Sequence, residues 1–230
     1  MGALIDVVGS VLSQSERRVE IAAQNLANVS TSGYKSIAGG ASVFSDTTGV
    51  TTTSGHADLS PGHLITTHNP FDLAIVDNGY FQVRTDQGIM LTRGGAFQMG
   101  EGGRVVTAQG YALQADNGGD LILSGSQLQV QPDGVVIEDG QPVANVAVVD
   151  AIDPNTVSPT QDGLLTTPDS NLKAVNAPAI RQGALEGSNV SSADEMIAMM
   201  EAVRRAEAGQ RMANVYDDLM GRVLQTFGQS

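Results

Sequence analysis

The residues of this chain that could do chemistry are few and poorly placed for it. His56, His63 and His68 share one loop-rich segment at spacings of seven and five, with Asp58 and Asp72 as the nearest carboxylates. Imidazole and carboxylate are ordinary zinc ligands, but this spacing fits no ligand motif, and solvated loop histidines account for it. Asp116-Asn117-Gly118-Gly119-Asp120 offers oxygen donors as a calcium loop does, yet it lacks the ligand spacing and the closing Glu, so it reads as a hairpin turn. Hydrolysis by paired carboxylates needs two of them in a cleft, whereas Asp77, Asp86, Asp116 and Asp133 all fall in predicted turns. Gly-x-Ser-x-Gly, Gly-x-x-x-x-Gly-Lys-Ser/Thr and His-Glu-x-x-His do not occur. Without cysteine, disulfides, thiolate metal sites and a Cys nucleophile are excluded. No catalytic, cofactor-binding or metal residue is therefore named, and the chain is not expected to be an enzyme.

The stronger pattern lies at the two ends. Ile5, Val8, Leu12, Ser15, Val19, Ala22, Leu26 and Val29 follow a 3-4 spacing, and so do Met196, Met199, Val203, Ala206, Gln210, Ala213, Asp217, Met220, Leu224 and Phe227. Apolar residues at this spacing make a narrow seam along a helix, as a coiled coil requires. The methionines of the second series suit adaptable interface packing. The first helix is expected over about residues 1–28, ended by the Asn28-to-Gly33 cluster; the last begins at Ser191 or Ser192, with Asp194 and Glu195 at its positive end. Gly209 and Gly221 inside it each cost about 1 kcal/mol, either as blemishes or where a neighbouring helix comes close.

Between the helices the signals are those of strands. Runs at 71–76, 80–85, 89–93, 96–99, 104–108, 111–115, 121–123, 128–130, 135–137 and 143–149 are separated by Gly- and Asp-rich turns. The Pro-rich 153–178 segment reads as a long crossing connection, and 179–185 as the return. The expected fold is thus mixed α and β. N- and C-terminal helices pair in a coiled-coil-like helical domain (1–33 with 187–230), an extended connector follows (34–62), and a central all-β domain (63–186) forms a sandwich or partly closed barrel.

Composition narrows the function classes. A net charge of −13, most of it in the middle of the chain, argues against nucleic acid, whose phosphates require a basic footprint. Aromatics at 4% and no Trp leave little for stacking on bases or sugars. The N-terminus lacks a basic leader, and no stretch approaches the ~20 apolar residues of a membrane span, so no direct membrane insertion is expected.

Three segments carry a family resemblance. Asn25-Leu26-Ala27-Asn28-Val29-Ser30-Thr31-Ser32-Gly33-Tyr34-Lys35 resembles the N-terminal motif of the bacterial flagellar rod and hook proteins. Leu185-Glu186-Gly187-Ser188-Asn189-Val190, followed by Glu195-Met196, Arg204 and Glu207, is similar to their C-terminal motif. Phe71-Asp72-Leu73-Ala74-Ile75, Gly79-Tyr80-Phe81-Gln82-Val83 and Leu91-Thr92-Arg93-Gly94-Gly95-Ala96-Phe97 match the middle. Short length and a compact centre resemble the proximal rod members more than the distal rod or hook members. Ala206 departs from the pattern, which carries an aromatic there, and Gln24 stands where Asn is usual.

The resemblance implies a structural subunit of the flagellar rod, in the basal body across the periplasm. Its partners would be copies of itself, other axial rod and hook proteins, and the flagellar type III export apparatus, which would carry it without a cleaved leader. The assembly interface would comprise Ile5, Val8, Leu12, Val19, Leu26, Met196, Met199, Val203, Met220, Leu224 and Phe227. No cofactor is implied. A wall-binding or adhesin module and a wall hydrolase are the rivals; the first lacks exposed aromatics, the second a paired carboxylate site. Gly33 is expected at positive φ where the chain leaves the helix, so that Gly33→Val would misaim the helix and leave the β-domain intact.

Overall fold

The computed structural model describes residues 2–39, 43–44, 51–52, 56–125, 128–160 and 163–227, without the side chains of 2–6, 43–44, 51–52, 217 and 223–227. The chain divides into two compact units, residues 1–27 with 191–230, and residues 28–190.

The first unit holds the two helices, α1 (Gly2–Ala27) and α2 (Ser192–Phe227). Ser191 starts α2: its Oγ accepts from Asp194 N at 3.4 Å and its carbonyl from Glu195 N at 3.0 Å, with both acids in the first turn. Along α1 the covered residues are Val8, Ser15, Ala22 and Asn25, with Leu12, Val19 and Leu26 half-covered. Ser15 survives there because its Oγ donates to Val11 O at 2.8 Å, returning its polarity to its own helix.

The expected mixed α and β fold with coiled-coil helices is corrected here. The protein is mostly β, with twenty-one short strands among the described residues, and a coiled-coil pairing of the helices is not seen. Met196 and Val203, expected in the seam, are exposed at 52% and 43%. The covered residues of α2 are instead Ala202 and Gly209, with Glu195, Met199, Ala206, Ala213, Tyr216 and Met220 half-covered. A coiled coil needs large apolar knobs at these places, and a stripe dominated by Ala and Gly has none to insert. A Cβ on Gly209 would lie 3.5 Å from Leu12 Cδ2 and Val11 Cγ1, an ordinary contact distance, whereas Gly221 has open space. Ile5, Asp217, Leu224 and Phe227 lie outside the described side chains.

In the second unit, the largest sheet has ten strands, all antiparallel, and does not close, giving a half-barrel rather than a sandwich. Its axis is the Tyr80–Thr85 strand, which pairs with Gly88–Thr92 on one edge and shares the other between Val148–Ala151 and Ala112–Ala115. Alternation sends Phe81 and Val83 into the main core with Leu73, Leu113 and Val105, while Tyr80 enters a second cluster with Leu91, Val149 and Leu165. Phe81 and Phe97 meet edge to face at 5.5 Å.

The 143–149 run is not one strand. Gln141–Asn145 pairs with Val135–Glu138 in a three-stranded sheet, and Val148–Ala151 joins the large one. The expected return at 179–185 splits likewise: Ile180–Gln182 pairs with Leu73–Ile75 and Ala184–Glu186 with Leu64–Thr66. The 153–178 connection contains three strands of its own, Ser158–Pro159, Leu165–Thr166 and Leu172–Ala174. In the 34–62 connector, Ile37–Ala38 pairs with His56–Ala57. No helix among the described residues is long and apolar enough to cross a membrane.

Candidate functional site

The motif residues gather in two places, one in each unit. In the β unit the chain enters through 33–36 and leaves through 184–190, and these two legs are held together by side chains. Gly33 N donates to Glu186 O at 2.7 Å, and Asn189 N to Tyr34 O at 3.4 Å. The Asn189 amide spans the gap: its Oδ1 accepts from Ser36 N at 2.7 Å, and its Nδ2 donates to Asp58 O at 2.8 Å and Ser60 O at 3.2 Å. An amide at this position satisfies one backbone donor and two acceptors at once, which neither Asp nor Leu could do. Ser188 Oγ accepts from Val190 N at 3.2 Å and turns the chain outward. On the entering leg, Thr31 Oγ1 donates to Asn28 Oδ1 at 3.1 Å, and Thr31 O accepts from Tyr34 N at 3.3 Å, placing the Tyr34 ring in the interior.

At the centre lies a charge cluster that the sequence reading did not single out. Glu186 is 1% exposed, and its carboxylate takes Lys35 Nζ at 2.6 Å and Gly62 N at 2.9 Å on Oε1, and Arg93 Nη1 at 3.2 Å on Oε2. Lys35 Nζ also donates to Ser60 O at 2.7 Å. The Arg93 guanidinium reaches Ile75 O at 3.1 Å and Asp77 O at 2.8 Å, and lies 5.4 Å from the centre of the Tyr80 ring. Its Nε is buried without a partner. A buried carboxylate alone would be strongly disfavoured; two cations and a backbone donor make it tolerable here. Burial lowers the Lys35 pKa, an effect that the Glu186 contact opposes. Burial likewise raises that of Tyr80, against the pull of Arg93. Asp58 is held below the usual carboxylate range, first by the hydrogen bond from Ser60 N.

Gly33 sits inside this arrangement. Its φ is +69°, as expected, but a Cβ there would fall 2.1 Å from Gly94 N and 2.2 Å from the Arg93 carbonyl carbon. The requirement is therefore close backbone approach within the β unit as well as conformation, and the expectation that Gly33→Val spares the β-domain does not survive.

In the helical unit, Asn25 is 1% exposed and its Nδ2 donates to Glu195 Oε1 at 2.7 Å, so one motif residue of α1 bonds one of α2. Leu26 is half-covered and Ala27 exposed; Met196, Arg204 and Glu207 face outward on α2, with Glu207 bridging to Arg211 at 3.5 Å. Ala206, in place of the aromatic, borders an open groove of about 620 Å³ with Leu12, Ser15, Val19, Val203 and Gln210.

His56, His63 and His68 do not converge, and among the described residues no three His, Asp or Glu side chains come together as metal ligands would. Asp116 to Asp120 forms the turn of a hairpin in which Ala115 pairs with Gly119, and the Asp120 carboxylate is taken by Arg84 and by Gln114 Nε2 at 2.9 Å.

The comparisons with known proteins divide the chain the same way. Residues 5–35 match the family of flagella basal body rod proteins. Residues 74–167 match the D1 domain of the flagellar hook proteins FlgE/F/G, and 181–226 the C-terminal region of the flagellar basal body rod FlgEFG proteins. Lys35, Arg93 and Glu186 come one from each matched segment. The chain is 31% identical to the flagellar basal-body rod protein FlgF of Salmonella typhimurium and 28% to that of Escherichia coli, over 95% of each chain in both cases. It is 28% identical to the rod protein FlgG of Buchnera aphidicola, over 93% of this chain and 95% of the other. With three motif segments in order and full-length relatives on both counts, the chain belongs to the flagellar basal-body rod protein family and is a structural component of the flagellar basal body, not an enzyme.

Proposed function

We propose that this subunit builds the proximal part of the rod, its helical unit forming the inner, axial layer and its acidic β unit the outer one. The observation that carries this is the outer face of α2. Met196, Ile197, Met200, Val203, Met212, Val215 and Leu219 are each more than two-fifths exposed, and Val7 of α1 joins them at 59%. Large apolar side chains are left in water on this scale where another protein surface is meant to cover them.

The interface residues sort into two roles on this reading. Val8, Leu12, Val19, Leu26, Met199 and Met220 face inward and hold the helical unit together, while Met196 and Val203 face outward for neighbouring subunits or other axial proteins. Ile5, Leu224 and Phe227, whose side chains lie outside those described, are assigned to the interface by their spacing in the sequence alone. Passage through the flagellar type III apparatus fits a chain with no cysteine to crosslink on the way.

Val203→Asp tests the proposal. Its side chain is exposed, so the purified monomer should melt as the unaltered protein does, while cells carrying it should make the subunit and fail to swim. Normal swimming would remove α2 from the interface.

A further inference from the structure

The chain contains two Asn-Gly pairs, Asn78-Gly79 and Asn117-Gly118. Such a pair is open to a reaction that needs no enzyme, in which the backbone nitrogen after the asparagine attacks the side-chain amide carbon. Glycine leaves that nitrogen unshielded and lets the chain turn to bring it within reach. In the unfolded chain the two pairs are chemically alike, and only the fold tells them apart.

Asn78-Gly79 is clamped. Gly79 is buried at φ +127°, and a Cβ there would fall 2.8 Å from Val148 Cγ1 and 3.3 Å from Val149 O. On one side Asp77 O is taken by Arg93 Nη2 at 2.8 Å; on the other Tyr80 opens a strand of the large sheet, paired with Val149. The peptide between Asn78 and Gly79 cannot swing without displacing these groups.

Asn117-Gly118 lies at the tip of a hairpin. The hairpin is tied at its base, where Asp116 N donates to Asn145 O at 2.9 Å and Ala115 pairs with Gly119. Asn117, Gly118 and Gly119 are exposed, and a Cβ on either glycine would meet nothing within 4 Å. The restraint on the attacking nitrogen is the turn hydrogen bond from Gly118 N to Ala115 O at 3.0 Å. A turn bond at an exposed tip opens without disturbing a core.

We propose that Asn117 is a site of spontaneous deamidation in the folded protein and that Asn78 is protected from it. The Gly118 nitrogen gives its proton to solvent and bonds to Asn117 Cγ. The C–N bond of the side-chain amide then breaks, and its nitrogen takes up a proton and leaves as ammonia, giving a cyclic imide. Water adds at one of the two imide carbonyls, and the ring opens to aspartate or to isoaspartate, whose main chain runs through Cβ. Ammonia leaves, water enters, and nothing is oxidised. Either product adds a negative charge between Asp116 and Asp120. Isoaspartate also lengthens the turn that aligns Asp120 with Arg84.

The test incubates the full chain folded and, separately, in urea, with samples taken over time for mass spectrometry. Trypsin cuts after Lys35, Arg84, Arg104 and Lys173, which puts Asn78 and Asn117 in different peptides. Conversion is read as the mass change from amide to acid, and isoaspartate by a methyltransferase specific for it. In urea the two sites should convert at similar rates. In the folded chain Asn117 should convert at least about tenfold faster than Asn78, because only its tip opens locally. Isoaspartate formed in the folded chain should vanish in Asn117→Ser. Equal rates at the two sites in the folded chain would overturn the proposal. So would an Asn117 that stays intact when folded but converts in urea, or isoaspartate that persists in folded Asn117→Ser.

Discussion

Around Glu186 the protein buries charge, and along α2 it exposes hydrocarbon; the two regions invert the usual partition in opposite directions. The cluster is closed within one chain, with Arg93 Nε alone left without a partner. Its carboxylate, ammonium and guanidinium find partners from legs 151 residues apart and from the middle of the chain. The helical face has no such completion: Met200, Met212 and Leu219 are more than half exposed, while the buried residues of α2 are Ala202 and Gly209. The difference separates what the chain finishes alone from what it leaves for assembly. Polar groups removed from water must be matched at folding, because an unpaired one costs free energy in every copy. Apolar surface can wait for a neighbour.

The sharpest way to break this contrast is Gly33→Val. A β-branched side chain at φ +69°, with its Cβ driven into the Arg93–Gly94 backbone, should cost about 5 kcal/mol of β-unit stability in urea unfolding. A midpoint that hardly moves would show the entering leg to be soft. Glu186→Gln comes next. It keeps an oxygen acceptor but leaves Lys35 and Arg93 without a counter-charge, and should cost about 3 kcal/mol. Equal stability of this variant and the Val203→Asp chain would abolish the distinction drawn between the two regions.

The smallest effect concerns Asp58 at the edge of the junction. Its folded pKa lies below the unfolded value, so its contribution is present above about pH 4 and is lost as pH falls through the folded value. Asp58→Asn should therefore flatten the acid limb of a stability–pH curve slightly and lower stability a little at pH 7, where the contribution is present in full. An unchanged acid limb would mean that the Ser60 hydrogen bond does not hold the loop.

The strands from 73 to 138 were largely legible, because Gly-containing turns mark each reversal and Tyr80–Thr85 has the bounds its alternation predicts. No coiled-coil seam forms; the spacing marked the covered residues of α1 from Val8 to Leu26, with Val29 exposed, and those of α2 only in part. There the apolar count pointed to Met196 and Val203, while the covered positions are Ala202 and Gly209, which a hydrophobic pattern ranks low. The break at Val146-Ala147 left no mark, since both sides of it are equally apolar. The cluster was invisible for a different reason. Lys35, Arg93 and Glu186 each look like surface residues, and only their mutual proximity makes burial possible. The nearest signal was that all three fell inside the motif segments, next to Tyr34, Gly94 and Gly187.

The separation of Lys35 from Glu186 has a consequence in time. At roughly 5–20 residues per second, a ribosome needs on the order of 8–30 s to proceed from one to the other. Throughout that interval the entering leg has no carboxylate to receive its lysine and no Asn189 to bridge its backbone, so the first motif cannot settle. Closing so large a loop is also entropically slow compared with forming the hairpins in between. The residues that fasten the first motif are among the last of the β unit to arrive, which keeps the junction open until that unit has been made.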